Sequence, residues 1–155
     1  MYYLYYSKAQ KFNFEKNEKI SVLFLKSEFF KMEKKEKLWW LLSLGRFQKC
    51  VATYGNSIAH ESCVIGKNFK FPFLSKTEAE IGPCFTYPQF RGKGIYPYVL
   101  KKILSEGGYN GYYMLVHEDN TASIKGIEKA GFKRVGFVEK KNGKWIRKQY
   151  SLEVL

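Results

Sequence analysis

The sequence predicts one mixed α/β domain, and three observations carry that reading. A chain of 155 residues has the length of a single domain, spanning 1–155. Its apolar residues recur with two periods, strand-like runs alternating with helical stripes in the order β-α-β-β-β-α-β-α-β-β. Glycine-containing turns separate most of these runs. Hydrophobic residues make up 45% and charged residues 26%, close to globular averages, which excludes a disordered or collagen-like chain.

Ile20–Leu25 is a continuous apolar run of strand length. Ser27 is placed to cap a helix beginning at Glu28. Between Phe29 and Leu44, two apolar clusters flank the charged run Glu33–Lys37, which suits one bent helix or two short ones; Trp39 and Trp40 read as packing residues. Arg46–Tyr54 and Ser57–Ile65 form a hairpin about Gly55-Asn56. Alternation sets Ile58, His60, Ser62 and Val64 on one face, and Ala59, Glu61, Cys63 and Ile65 on the other. Gly66–Lys76 is an aromatic loop. Glu78–Thr86 is the next strand, and Pro83, with no N–H for a ladder, should bulge or splay it. Ile95–Glu106 has the clearest helical stripe, with Pro97 in its first turn and Gly107-Gly108 as its stop. Gly111–His117 is a strand, Asn120–Ala130 a helix ended by Gly131, and Phe132–Lys140 and Ile146–Leu155 are strands about the turn Lys141–Lys144. At least one right-handed β-α-β unit is expected in the second half.

The chain holds 27 basic and 14 acidic residues, a formal net charge of +13 that attracts anions: nucleic acid, acidic lipid, or a phosphorylated cofactor or substrate. Its lysines are dispersed rather than gathered in a polybasic tail, which weighs against nucleic acid and membrane. No run of about 18 apolar residues exists, so no membrane-spanning helix is expected. The start lacks a basic n-region, an apolar h-region and a cleavage site, so no secretory signal is expected. Cys50, Cys63 and Cys84 have no CxxC spacing and only His60 and His117 to assist them, so no metal site is expected. An odd cysteine count without a signal fits reduced thiols in a cytoplasmic protein.

The stretch from Glu80 to Ile95 concentrates the chemistry. A strand passes through a short loop with Gly92 and Gly94 directly into a helix. The first N–H groups of a helix have no internal partners and its dipole is positive there, so Arg91–Ile95 can cradle a pyrophosphate, with Arg91 and Lys93 adding charge. GxxxxGK[ST] is absent, and the dinucleotide fingerprint fails because Pro97 stands where its third glycine belongs.

Gln89-Phe-Arg-Gly-Lys-Gly94 resembles the Q/R-x-x-G-x-G/A signature of the GNAT superfamily of acyl-CoA-dependent N-acyltransferases. Downstream, the segment from His117 to Phe132, ending Glu-Lys-Ala-Gly-Phe, is similar to that family's "N-x-x-A/S…E-K-x-G-F" run. The two lie in the family's order, and the resemblance covers roughly Ile20 to Leu155. It implies a GNAT-like fold with a splayed central sheet and acetyl-CoA as acyl donor, without a metal. The pantetheine arm would lie in the splay against the backbone of Phe85 and Thr86. The amides of Arg91, Gly92, Lys93, Gly94 and Ile95 would take the pyrophosphate, and Asn120 would reach the arm, with Ser123 one turn on.

Transfer to an amine by direct attack needs a general base, because amines are mostly protonated near neutrality. Glu80 is the first candidate and Glu78 the second, both on the strand entering the splay. His60, whose ordinary pKa lies near neutrality, is the third. Cys84 reads as a core residue. Many members of the family place a thiolate-protonating tyrosine where this sequence has Ile127, so water or another tyrosine (Tyr96, Tyr98, Tyr112 or Tyr113) would have to serve. The segments Phe29–Leu44 and Gly66–Lys76 are aromatic and basic and would suit an amino sugar or nucleotide-linked amino sugar. The stretch Glu80–Leu100 also resembles small GNAT enzymes of bacterial surface-polysaccharide pathways. Two alternatives stay open: a CoA-binding protein without catalysis, and a basic nucleic-acid-binding module. The sequence leaves acyl-chain preference and oligomeric state unspecified.

Overall fold

A computed structural model describes residues 1–14, 19–25 and 33–148. Its elements are β1 (Tyr2–Lys8), β2 (Ile20–Leu25), α1 (Lys34–Leu42), β3 (Phe47–Tyr54), β4 (Ser57–Gly66), β5 (Glu78–Thr86), α2 (Ile95–Glu106), β6 (Gly111–His117), α3 (Thr121–Lys129), β7 (Lys133–Lys141) and β8 (Lys144–Lys148). A single 3₁₀ turn, Pro88–Phe90, leads from β5 towards α2. The strands form one sheet in the order β2-β3-β4-β5-β6-β1-β7-β8. Only β5 and β6 pair in parallel; every other neighbouring pair is antiparallel.

The sheet is covered on both faces. Helices α2 and α3 bury Ile95, Val99, Leu100, Ile103, Leu104 and Ile127 against Cys50, Ala52, Val64, Ile81 and Met114. On the opposite face, Trp39 and Trp40 of α1 pack on Phe47, Cys63 and Ile65. The run Glu33–Lys37 opens α1 rather than interrupting it. Glu33 precedes the helix and its N–H donates to the Glu36 carboxylate at 3.1 Å. The expected helix start at Ser27-Glu28 lies outside the described residues.

β1 is the element the sequence pattern did not disclose. It sits in the middle of the sheet, pairing with β6 along its whole length and with β7 on its other edge. Tyr-Tyr-Leu-Tyr-Tyr has no polar alternation because both of its faces are buried. Leu4 is fully buried with Phe71, Leu74, Tyr113 and Val138, while Tyr5 is buried in the core beneath α2 and α3. The Tyr5 hydroxyl donates to Glu128 at 2.8 Å, which ties α3 to the sheet centre.

Two irregularities change which side chains share a face. In β3–β4 the register shifts between Ala52 and Thr53, so Ala59 is an extra residue. Ala59 enters the α2–α3 core and Ile58 is exposed, which corrects the simple alternation there; His60, Ser62 and Val64 keep theirs. The second irregularity, in β5, shapes the site below. At the β7–β8 turn, Asn142 and Gly143 both take positive φ, 49° and 74°, as a two-residue hairpin turn requires. Residues 149–155 of the expected last strand lie outside the described residues.

Because Leu4 sits in the sheet centre rather than on a frayed terminus, Leu4→Ala should cost about 2–5 kcal/mol, measured by urea unfolding. A loss below about 0.5 kcal/mol, the usual effect of a surface change, would show that β1 is not a core strand.

Candidate active site

β5 and β6 pair over three positions only, Glu78↔Gly111, Ala79↔Tyr112 and Glu80↔Tyr113. β5 continues to Thr86 and β6 to His117 without a partner on that side, so the sheet opens into a gap. The opening begins where the β4–β5 register shifts between Ser62 and Val64, with Gly82 and Pro83 standing together opposite Cys63. The bulge inverts side-chain parity. Glu80 shares a face with its partners Ile65 and Tyr113, the α1 side, whereas Cys84 and Thr86 share theirs with Ser62 and His60, the α2–α3 side.

A cleft of about 530 Å³ opens on the α2–α3 side, lined by Phe85, Thr86, Arg91, Gly92, Gly94, Ile95, Asn120 and Ser123 among others. Gly92 and Gly94 hold φ of +75° and +73°, and nothing in the protein lies within 4 Å of where a Cβ would stand on either. Glycine is demanded by the backbone, and the face it leaves open is free for a ligand. Arg91 Nε donates to the Thr86 carbonyl at 3.1 Å, pinning the loop to the end of β5, and its guanidinium lies 5.9 Å from the Phe85 ring centroid. Asn120 caps α3, its Oδ1 accepting from Ser123 N–H at 3.1 Å. Lys93 departs from expectation. Its amine lies over the rings of Tyr54 and Phe90, at 4.8 and 5.6 Å, and it does not line the cleft. Besides Arg91, the cations that do are Lys125 and Lys129, one helical turn apart on α3.

A second cleft, of about 620 Å³, has Glu80 in its wall with Tyr2, Trp39, Phe71 and Trp145. Trp39 thus both packs α1 and faces the cleft. The Lys70 amine lies 4.5 Å from the Trp39 ring centroid and the Lys140 amine 6.0 Å from that of Trp145; neither meets a carboxylate among the described residues. The two clefts share Cys84, Tyr96, Asn120 and Ser123, which form a seam at the β5–β6 gap.

The three candidate bases fare differently. Glu80 is buried, with no hydrogen bond or ion pair among the described residues, and burial pushes its carboxyl up to about 8. A Cβ on Gly82 would stand 2.5 Å from Glu80 Oε1, so the glycine makes room for the carboxyl. Glu78 accepts from Ser75 N–H at 2.9 Å, bracing the turn before β5, and lines neither cleft. His60 is buried with both nitrogens engaged, Nδ1 with Thr86 Oγ1 at 2.7 Å and Nε2 with Ser62 Oγ at 2.6 Å; burial pulls its pKa down to about 4, so it is neutral. Cys84 packs against the α2–α3 core, as expected, and also borders the clefts. The inverted parity brings it to both clefts, where burial pushes its thiol up to about 12.

Tyr96, Lys125, Lys129 and Trp145 also line the clefts, although the sequence reading assigned none of them a binding role. The i, i+4 spacing of the two lysines on the helix begun by Asn120 was the available signal. Among the described residues, no group of three or more His, Cys, Asp or Glu side chains could hold a metal, and no helix is long and apolar enough to cross a membrane.

Glu80 and His60 impose opposite pH dependences on stability. Glu80 titrates at about 8 when folded against an ordinary 4.5, so its contribution is complete below pH 4.5 and is lost as pH rises through 8. His60 titrates at about 4 against 6.5, so its contribution is complete above pH 6.5 and is lost as pH falls through 4. Glu80→Gln should therefore gain stability over the parent between pH 4.5 and pH 8, by on the order of a few kcal/mol. Urea unfolding at the two pH values checks this, and parallel curves would mean that Glu80 is not desolvated.

No family model matches the sequence, and no curated protein matches it. Solved structures do match in shape. An acetyltransferase of the GNAT family from Colwellia psychrerythraea matches with a TM-score of 0.57 and 15% identity, over 86% of this chain and 52% of that one. A functionally unknown conserved protein from Staphylococcus epidermidis matches with a TM-score of 0.57 and 11% identity, over 86% and 57%. An aminoglycoside acetyltransferase from an uncultured soil metagenomic sample, in complex with trehalose, matches with a TM-score of 0.53 and 14% identity, over 74% and 89%. The chain thus spans little more than half the length of the first two. At these identities the likeness is one of architecture, and the architecture of this chain is the GNAT acetyltransferase fold.

Proposed function

We propose that the chain is an acetyl-CoA-dependent N-acetyltransferase that passes an acetyl group to a primary amine by direct attack. The observation that carries this reading is the meeting of two clefts at the β5–β6 gap, one ending at an anion-suited glycine loop and the other walled by a lone buried carboxyl.

The first cleft suits a pyrophosphate and its pantetheine arm. The open faces of Gly92 and Gly94 let phosphate oxygens approach backbone amides, and Arg91, Lys125 and Lys129 supply charge at the same mouth. β5 beyond Glu80 presents an edge with no β6 partner, which can bond an amide-bearing arm as a strand would. Bound there, acetyl-CoA supplies a thioester carbonyl activated towards amines.

Glu80 takes the amine proton. A base with a pKa near the working pH combines adequate ionisation with adequate driving force, and burial alone brings Glu80 to about 8. Glu78 is held by Ser75, and His60 is held by Thr86 and Ser62, so both serve as positioning residues.

The acceptor enters the second cleft. Trp39, Phe71 and Trp145 offer faces for a sugar ring, and Lys70 and Lys140 favour an acceptor carrying phosphate or carboxylate. An amino sugar or nucleotide-linked amino sugar fits this lining better than a polycationic amine does.

The test is thiol release from acetyl-CoA over a panel of anionic amino sugars, neutral amino sugars and aminoglycosides. Turnover should be fastest with the anionic acceptors and should rise with pH through about 8, as Glu80 ionises. Glu80→Gln should lose about 10²–10⁴ in rate while keeping its affinity for CoA. Gly94→Val, which forces a β-branched residue to positive φ and fills the open face, should weaken CoA binding at least tenfold by calorimetry. Undiminished CoA binding in that variant would displace the cradle. Absence of turnover with every acceptor, while CoA still binds, would refute catalysis.

A further inference from the structure

We propose that Lys49 is a positioning residue, seating helix α1 on the sheet and so holding Trp39 in the wall of the second cleft. Its consequence for the acceptor rests on the acetyl-transfer reading above, whereas the seat itself can be read without any substrate.

α1 is nine residues long, and none of them is fully buried. A helix of that length is marginal alone, so it takes its place from what it touches. Leu38 and Leu41 are exposed, and Trp39 and Trp40 pack on Phe47, Cys63 and Ile65. Trp39 is divided between two tasks. It packs on the sheet and stacks with Phe71 at 6.4 Å, and it also faces the second cleft. A wall with so small an apolar anchorage depends on a second tie.

Lys49, on β3, supplies that tie. Its amine donates to Glu36 Oε1 of α1 and meets Glu61 Oε1 of β4, both at 2.9 Å. Glu36 Oε2 accepts from the Glu33 N–H at 3.1 Å, so one carboxylate both closes the start of α1 and binds it to the sheet. Glu61 Oε2 accepts from the Tyr87 hydroxyl at 3.0 Å. Three bonds in a row thus run from α1, across β3 and β4, to the residue that follows β5. The side chains of Lys49, Glu36 and Glu61 are only 16–28% exposed, so salt screens them less than a surface pair. Loss of the cation does more than break two bonds. Glu36 and Glu61, which share it, would be left as like charges with nothing between them, and α1 would be pushed off the sheet.

Glu36, Lys49, Glu61 and Tyr87 line neither cleft. Lys49 therefore acts on a bound acceptor through the residue its tie positions, Trp39.

The test compares Lys49→Met, which keeps the stem and loses the charge, with Lys49→Arg, which keeps both, and with Glu36→Gln. The chain has three tryptophans. In a Trp145→Phe background only Trp39 and Trp40 emit, so fluorescence reports α1 alone. There Lys49→Met should emit to the red and be quenched more steeply by acrylamide, Glu36→Gln should shift the same way but less, and Lys49→Arg should match the background. CoA affinity by calorimetry should stay within about threefold in all of them, because no member of the row lines the first cleft. With Trp145 present and the fastest acceptor of the panel above, Lys49→Met should raise the acceptor KM about tenfold and leave kcat within about threefold. Lys49→Arg should restore the KM.

Unchanged emission and quenching in Lys49→Met would overturn the assignment, and Glu36→Gln decides it on the same readout if Lys49→Met fails to fold. A lowered kcat with an unchanged acceptor KM would overturn it too, since that pattern belongs to a group acting on the chemistry. A parent that turns over no acceptor refutes the acetyl-transfer reading itself, and fluorescence then decides the seat alone.

Discussion

Everything at the candidate site depends on the loss of one strand pairing. A parallel pair continues as long as both backbones present their donors and acceptors in register. Pro83 has no N–H, and with Gly82 it places two residues opposite Cys63, so β5 bends and the ladder to β6 ends at Glu80. Three consequences follow from that local failure. The sheet acquires a gap through which its two faces communicate. The backbone of β5 gains an edge inside the protein rather than at its margin. The bulge also reverses parity, sending Glu80 to one face and Cys84 and Thr86 to the other. A regular strand would have set Glu80 and Cys84 on the same side, with no gap for two substrates to meet in.

Burial is used in two opposite ways on either side of this gap. On the α2–α3 side, polar groups are buried and satisfied: His60 engages both nitrogens, one with the Thr86 hydroxyl and the other with the Ser62 hydroxyl. Such a chain is rigid and costs little once every member is paired. On the other side Glu80 is buried without a partner among the described residues, which is unfavourable when it is ionised and raises its pKa to about 8. In the proposed reaction, that unfavourable burial is what would make the carboxylate basic enough to act on an amine. The cost is borne by a sheet whose centre, from Leu4 and Tyr5 to Val116, is packed on both faces.

Much of this arrangement was legible in the sequence where a residue type has one strong physical consequence. Pro83 announced the splay because a missing amide hydrogen cannot be compensated within a ladder. Gly92 and Gly94 announced a tight strand-to-helix loop, and they do hold the left-handed conformation that other residues resist. Asn120 announced its helix by capping it. What could not be read is what depends on long-range packing. Tyr2–Lys8 lacked the alternation that marks a half-buried strand because it is buried on both faces. Lys93 lay in the right loop, but its amine sits over Tyr54 and Phe90, and Tyr54 is far away in sequence. That Cys84 also reaches the clefts could not be read, because a bulge changes which side chains of a strand share a face.

The charge of the chain takes on a more specific meaning in this geometry. A net charge of +13 spread over a surface would draw any polyanion weakly. Here Arg91, Lys125 and Lys129 stand at the mouth of one cleft, and Lys70 and Lys140, held over tryptophan faces, stand at the other. Fields focus in clefts with low-dielectric walls, so both openings favour ligands that carry negative charge at the end away from the seam. Two such ligands would repel each other if their charges met, and the gap is what keeps them apart. In the proposed reaction it would admit only the uncharged ends, a thioester and a neutral amine, to the shared walls of Cys84, Tyr96, Asn120 and Ser123. Glu80 lies in the second cleft but outside that seam, so in the proposed reaction its charge would act on the amine before it acts on the thioester. The bulge at Gly82-Pro83, by setting Glu80 on one face and Cys84 on the other, establishes that order.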